Sequence, residues 1–158
     1  MMELVPLNNE LSIQRLEGFR VLDEEERGRL NFMKEGPGIC LSDPERHILV
    51  SVAYKKIGGF SNLLLNEKDL VKNMEAGIAK AMRPFDFQKA GAVQRTVGGR
   101  AAEGFSYTYM AQSVAMYAEA LLVRSGKTIF YLYLYAREEL KQESIPVWEE
   151  LLAGAEWS

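Results

Sequence analysis

The sequence predicts an α+β fold in which a central, mostly antiparallel β-sheet is flanked by helices on both faces. Extended segments come in neighbouring pairs joined by the short turns Gly98-Gly99 and Ser125-Gly126, which is typical of β-hairpins. Amphipathic helical segments stand before and after these pairs instead of alternating with single strands, which argues against βαβ units. The length of 158 residues fits one domain, so we expect a single domain over residues 1–158.

The N-terminal half contains short segments of strand type. Residues 3–7 and 11–16 alternate between apolar and polar side chains, which predicts two strands at a sheet edge. Residues 47–54 are predicted as a third strand, because apolar side chains recur there at every second position. Glycine-rich or turn-forming segments at 34–38 and 58–65 are predicted as loops.

Two helices are predicted from apolar periodicity. The first begins after Asn66, a residue type that caps helix N-termini well, and ends before Pro84. The second lies near the C-terminus, with Ser144 as its N-cap and Pro146 in its first turn. The apolar stripe of this second helix, which should cover one face of the sheet, consists of Val147, Trp148, Leu151 and Leu152.

The second hairpin sets small side chains against large ones. If its loop consists of Ser125-Gly126, Ala118 lies opposite Tyr133 in the neighbouring strand. Between two alanines of the same strand stands Glu119, the only charged residue in an otherwise apolar segment. A buried carboxylate needs a partner, so we expect a Lys or Arg from the covering helix to pair with it.

The strongest candidate for a binding surface is a group of tyrosines on the hairpin strands. Tyrosine offers a large contact area with a polar tip and is enriched at protein interfaces. The alternative is a layer of the core beneath a helix, filled by Trp148 and Leu152 if the C-terminal helix covers this face. The candidate site residues are Tyr107, Tyr109, Tyr131, Tyr133 and Tyr135.

Composition excludes several classes of function. A net charge of −3 provides no basic field for phosphate backbones, so nucleic acid is not an expected partner. The longest uncharged apolar run, residues 129–136, falls far short of the roughly 20 residues of a membrane-spanning helix. The single cysteine, Cys40, suits a reducing compartment, and the first residues lack the pattern of a secretory signal. We therefore expect a cytoplasmic protein without a membrane span.

No catalytic site, metal site or cofactor is expected from the motifs. Residues 125–128 spell the end of a phosphate-binding loop, but Leu121 stands where that motif needs glycine, and a strand follows instead of a helix. His47 is the only histidine, and no serine near it has the context of a nucleophile elbow. Because His47 alternates with Asp43 and Glu45, a divalent-cation site built on these three remains an alternative.

Segments in both halves of the chain carry a family resemblance. They are TVGGRAAEGFSYTY (96–109), RSGKTIFYLYLYA (124–136) and SIPVWEELLAGAEW (144–157) in the second half, and LSIQRLEGFRVLDEEE (11–26) and LSDPERHILVSVAY (41–54) in the first. Over nearly its whole length the sequence resembles the Mog1/PsbP-like fold family, and its small bacterial members in particular. This resemblance implies a central antiparallel sheet with helices on both faces, no catalytic centre and a role in protein binding.

These observations lead to one preferred function and an alternative. We expect a non-enzymatic cytoplasmic protein that acts as a protein-binding or chaperone-like module, with another protein as its partner. The alternative is a small-ligand or metal-binding domain that uses a pocket beside the sheet, and an enzyme ranks third. An apolar patch favours the binding module, carboxylates gathered at His47 favour the metal site, and a titratable pair in a cleft favours the enzyme. The oligomeric state stays open.

Overall fold

The computed structural model describes residues 3–28, 37–57 and 66–158. Residues 34–36 and 58–65, which belong to the two predicted loops, lie outside the described residues. The helices are α1 (Glu24–Gly28), α2 (Glu67–Met82) and α3 (Lys141–Ala153), with 3₁₀ turns at Arg83–Phe85 and Glu138–Leu140. The strands are β1 (Glu3–Pro6), β2 (Leu11–Arg15), β3 (Arg20–Val21), β4 (Gly38–Asp43), β5 (Ile48–Lys56), β6 (Gln88–Val97), β7 (Arg100–Ala111), β8 (Val114–Ser125), β9 (Thr128–Arg137) and β10 (Glu156–Trp157).

Seven strands form one sheet, in the order β3-β4-β5-β9-β8-β7-β6, and each neighbouring pair is antiparallel. The strands β1, β2 and β10 form a second antiparallel sheet of three strands. The prediction of an α+β fold with a dominant antiparallel sheet is therefore confirmed. Within the described residues no helix is long and apolar enough to cross a membrane.

Strand β4 begins where the sequence predicts a loop. Its first residue, Gly38, lies so close to β5 that an added Cβ would overlap the Val52 carbonyl oxygen and lie 2.9 Å from the Ala53 Cα atom. Glycine in a strand often marks such a close approach between backbones. A glycine here is compatible with a turn and also with close pairing of two strands. The sequence pattern alone cannot decide between a loop and a strand at this position.

Both predicted hairpins are present, but the register of the second differs. At the first, Val97 pairs with Arg100, and the intervening Gly98 and Gly99 have φ angles of 53° and 87°, as a type I′ turn requires. At the second, Ser125 pairs with Thr128, so the loop residues are 126 and 127 instead of the predicted 125 and 126.

This change in the loop shifts the predicted pairing by two residues. Ala118 lies opposite Tyr135, and Ala120 lies opposite Tyr133. Because side chains alternate between the two faces of a sheet with a period of two, a shift of two leaves every side chain on its predicted face. The pairing of small with large residues is also retained.

One face of the large sheet packs against α3 and the small sheet. Trp148 and Leu152 of α3 are fully buried and cluster with Leu121 and Leu132 of the large sheet and Ile13 of β2. Ser144 does not cap this helix, which begins at Lys141. A 3₁₀ turn leads directly into α3, so the Ser144 hydroxyl lies inside the first helical turn and donates a 3.0 Å hydrogen bond to the Leu140 carbonyl.

The other face of the sheet packs against α2. The Asn66 side chain accepts a 2.9 Å hydrogen bond from the Asp69 amide, which confirms the predicted N-cap. Leu70, Met74 and Met82 cluster with the tyrosine side of β7, β8 and β9. The expectation that Trp148 and Leu152 fill this face is therefore wrong, since both belong to the cluster on the opposite side.

Candidate binding site at the tyrosine face

The five candidate tyrosines all lie on the face of the sheet that packs against α2, which we call the tyrosine face. Tyr107 and Tyr109 come from β7, and the other three come from β9. Between them, Ala118 of β8 pairs with both Tyr107 and Tyr135. This small side chain leaves room for the hydroxyl groups of Tyr107 and Tyr135 to form a hydrogen bond across β8.

Burial divides these tyrosines into two groups. Tyr107, Tyr109 and Tyr135 are 1%, 6% and 6% exposed, so they belong to the core, as the alternative interpretation holds. Tyr131 and Tyr133 are half-buried, and their rings stack nearly parallel with centroids 6.4 Å apart. Burial raises the pKa of the Tyr107 and Tyr135 hydroxyls well above the ordinary value of 10. Whether any of the five contacts a partner stays a prediction.

A cavity of about 520 Å³ opens at one end of the tyrosine face. Tyr109 and Tyr135 form part of its wall, where the tyrosine face meets the C-terminal end of α2 and the β4–β5 turn. Cavities between about 300 and 1,000 Å³ that are lined mainly by apolar side chains are typical of small-molecule sites. Other apolar side chains in the wall are Leu22, Pro44, Ile48, Leu49, Met82, Phe85, Ala111 and Met116.

Three polar side chains also line this cavity, and one of them is already neutralised. Asp43 is 3% exposed, and its two carboxylate oxygens accept hydrogen bonds from the backbone amide and the Nε of Arg46. Burial of the carboxyl opposes ionisation, but the hydrogen bonds from Arg46 outweigh it and lower the pKa of Asp43 below its ordinary value. Ser42 and His47 are the other two polar residues of the wall.

His47 is exposed and occupies the last position of the turn between β4 and β5. It has a φ angle of 56°, in the left-handed region that non-glycine residues adopt only at a cost in free energy. The predicted strand therefore begins one residue later, at Ile48. Among the described residues no group of three His, Cys, Asp or Glu side chains is placed to bind a metal ion, and Asp43 pairs with Arg46.

On the opposite face of the sheet, Glu119 is fully buried in a network of donors. The guanidinium of Arg95 donates to both carboxylate oxygens, at 3.1 and 2.7 Å. The Tyr117 hydroxyl donates at 2.6 Å and the Trp148 indole N–H at 3.0 Å. The expected arginine partner is therefore present, but it comes from β6, while the covering helix α3 supplies the indole.

Sequence reasoning missed the cavity, although it identified Tyr109, Tyr135 and His47 separately. These residues are far apart in sequence, and only the sheet order brings β4, β5, β7 and β9 into one wall. Phe85 directly follows Pro84, and nothing in the neighbouring sequence shows which strands it faces.

Solved structures with a similar fold are found by comparison, although sequence comparison finds no relative. No protein-family model matches the sequence, and no curated protein matches it by sequence. Among solved structures, cyanobacterial PsbP (CyanoP) from Synechocystis sp. PCC 6803 is similar with a TM-score of 0.69 and 12% identity, over 99% of this chain and 92% of that one. LpqN, involved in cell envelope biogenesis of Mycobacterium tuberculosis, gives 0.61 and 16% identity, over 100% of this chain and 91% of that one.

A third similar structure is PA94 from Pseudomonas aeruginosa, a protein of unknown function described as a putative regulator. Its TM-score is 0.52 at 11% identity, over 97% of this chain and 94% of that one. At such low identity, structural similarity shows the fold and carries no site or activity. The chain has the Mog1/PsbP-like fold, as the resemblance of its sequence predicts.

Proposed function

We propose that the protein is a non-enzymatic binding module, with helices flanking both faces of its sheet, and that it holds an apolar ligand in the cavity at the end of the tyrosine face. The observation that carries the proposal is the cavity itself, with its volume of about 520 Å³ and its mainly apolar wall. A cavity of that kind with a few convergent polar groups is the usual form of a small-molecule site. The cytoplasmic location expected from the sequence stays a prediction.

The chemistry of the wall supports binding over catalysis. Asp43, the one carboxylate among the described lining residues, is paired with Arg46, and the hydrogen bonds from Arg46 hold its pKa below the ordinary value. A general acid or base works best when its pKa lies near the working pH, which the pKa of Asp43 does not. The binding energy would come instead from burial of apolar surface, at roughly 25 cal/mol per Å².

The test is to fill the cavity. Ala111 lies in the wall, and phenylalanine in its place should occupy part of the volume. The matched control is Ala115→Phe, because Ala115 is exposed in the same hairpin and its strand neighbours place it on the opposite face. Binding of the fluorescent aromatic sulfonate anilinonaphthalene sulfonate, measured by titration, should weaken about tenfold or more in the first variant and stay unchanged in the second. Equal binding by both variants would contradict the proposal.

A second candidate function is the protein-binding or chaperone-like role that the sequence favours. One observation supports it: Phe85, in the wall of the cavity, is 44% exposed and offers apolar contact surface to a partner. In this case an apolar side chain of the partner would enter the cavity. Replacing Phe85 by serine should abolish capture of a partner from a native lysate, while Leu4→Ser, at a residue with 41% exposure on β1, should not. Loss in both variants would show that the cavity is not the docking point.

A further inference from the structure

We infer that the ligand of the cavity is an apolar molecule that ends in an oxygen acceptor, a carboxylate or a carbonyl, which the side chains of Tyr109 and His47 bind. The inference rests on the proposed function, because it names the chemical class of ligand for the same site. Its support comes from the state of three polar groups in the wall, those of Tyr109, His47 and Asp43.

Tyr109 carries a donor that has no partner within the described part of the chain. The residue is 6% exposed and lines the cavity, and burial alone raises the pKa of its hydroxyl to about 12. The group is therefore a protonated donor at neutral pH. Because Tyr109 lines the cavity, its side chain is in contact with the space that a ligand would fill. A ligand in the cavity would displace water from this donor, and a donor left without any hydrogen bond in an apolar wall costs free energy.

His47 adds a second donor in an unusual backbone position. Its φ angle of 56° would suit glycine or asparagine, and a histidine there holds strain that the surrounding structure must offset. The turn is braced by Arg46, which binds Asp43 and donates a 3.0 Å hydrogen bond to the Glu17 carbonyl. His47 lines the cavity, and an imidazole carries at least one N–H donor in either protonation state.

The same groups argue against a cationic ligand. A buried ammonium group needs a carboxylate or several free acceptors. Asp43 is the one carboxylate in the described wall, and its charge is already paired with the Arg46 guanidinium. The wall thus offers donors to a ligand and no unpaired anion.

The experiment uses three probes that share one aromatic tail and differ in the end group. They are 4-phenylbutyrate, its methyl ester and 4-phenylbutylamine, and their affinities for the wild-type protein are measured by calorimetry or by NMR titration at neutral pH. We expect the acid and the ester to bind more tightly than the amine. Tyr109→Phe keeps the ring, and so the packing, but removes the donor, so it should weaken the acid by about tenfold and leave the amine unchanged.

A second variant guards against a folding defect at the buried tyrosine. His47→Gly removes the side-chain donor of an exposed residue and suits the left-handed backbone, so it should also weaken the acid relative to the amine. If the amine binds as tightly as the acid, or if neither variant changes the order of affinities, the inference is overturned and the proposed function stands. If no probe binds to the wild-type protein, both the inference and the proposed function are overturned.

Discussion

Removing Arg95 from the buried network should destabilise the protein strongly. Glu119 is fully buried, and the side chain of Arg95 is 19% exposed, so solvent screens the pair poorly. In Arg95→Met the aliphatic stem is kept while two charge-assisted hydrogen bonds are lost. The carboxylate then retains only the neutral donors of Tyr117 and Trp148. Loss of one partner of a buried ion pair costs about 3–5 kcal/mol, and because two donors remain we expect about 3 kcal/mol.

The assay is equilibrium unfolding in urea at neutral pH, with the slope against denaturant checked for constancy. A second substitution separates the charge from the packing. Adding Glu119→Gln to the Arg95→Met protein removes the unpaired charge, and the Tyr117 hydroxyl can accept from the new amide. The double variant should therefore recover about 1–2 kcal/mol relative to the single one.

Lys89 provides a control on the same strand, since it forms a 2.8 Å ion pair with Glu75 at the surface. Side-chain exposures of 46% and 33% predict that Lys89→Met costs under about 1 kcal/mol. If Arg95→Met also costs under about 1 kcal/mol, water reaches Glu119 and the reasoning from burial is refuted.

Three further predictions concern packing and pH. Gly104→Ala should lower the free energy of unfolding in urea by about 3 kcal/mol, because the new Cβ atom would overlap the backbone of β8. The control Gly91→Ala should leave it unchanged, since the space at that position is open. Equal losses of stability in the two variants would refute this prediction. Tyr133→Ala should lower the free energy of unfolding by under about 2 kcal/mol, since its ring is half-buried and removal of a fully buried aromatic costs about 3–5 kcal/mol. A larger loss would show that the Tyr133 ring is packed more tightly than its exposure indicates. Hydrogen bonds from Arg20 lower the pKa of the Glu26 carboxyl from 4.5 to about 2. The contribution of this pair to stability is therefore present above pH 4.5 and is lost as the pH falls towards 2. Arg20→Gln should return the pKa of Glu26 towards 4.5 in an NMR titration, and an unchanged pKa would contradict the role given to Arg20.

Sequence reasoning succeeded where the signal is local. Asn66 and Pro84 bound α2 because capping and the loss of a backbone donor act within one helical turn. The glycines at 98 and 99 fix the first hairpin, because few other residues adopt positive φ angles at two successive positions. The predicted assignment of side chains to the two faces of the sheet is also confirmed, since alternation between faces depends only on the order of residues along each strand.

The sequence-based predictions are wrong where the structure depends on contacts between distant segments of the chain. Nothing in residues 144–152 shows which face of the sheet α3 covers, because both faces offer apolar side chains of similar size. The partner of Glu119 is misassigned for the same reason: Arg95 stands between the polar residues Gln94 and Thr96 in an edge strand, and its role depends on the pairing of β6 with β7 and of β7 with β8. Strand β10 has only two residues and is defined by its pairing with β2.

The position of the cavity follows from the lengths of the elements that meet there. Helix α2 has 16 residues and is about 24 Å long, while β7 has 12 residues and extends for about 40 Å. Even if it were aligned with the strand, the helix could not cover the whole tyrosine face. The cavity at this end is lined by Tyr109 and Met116, and beside it the chain passes through the Arg83–Phe85 turn to Asp86, whose φ angle is 57°. Because α2 stops before Pro84, the wall of the cavity on this side is formed by the turn, through Phe85, and not by a further turn of the helix.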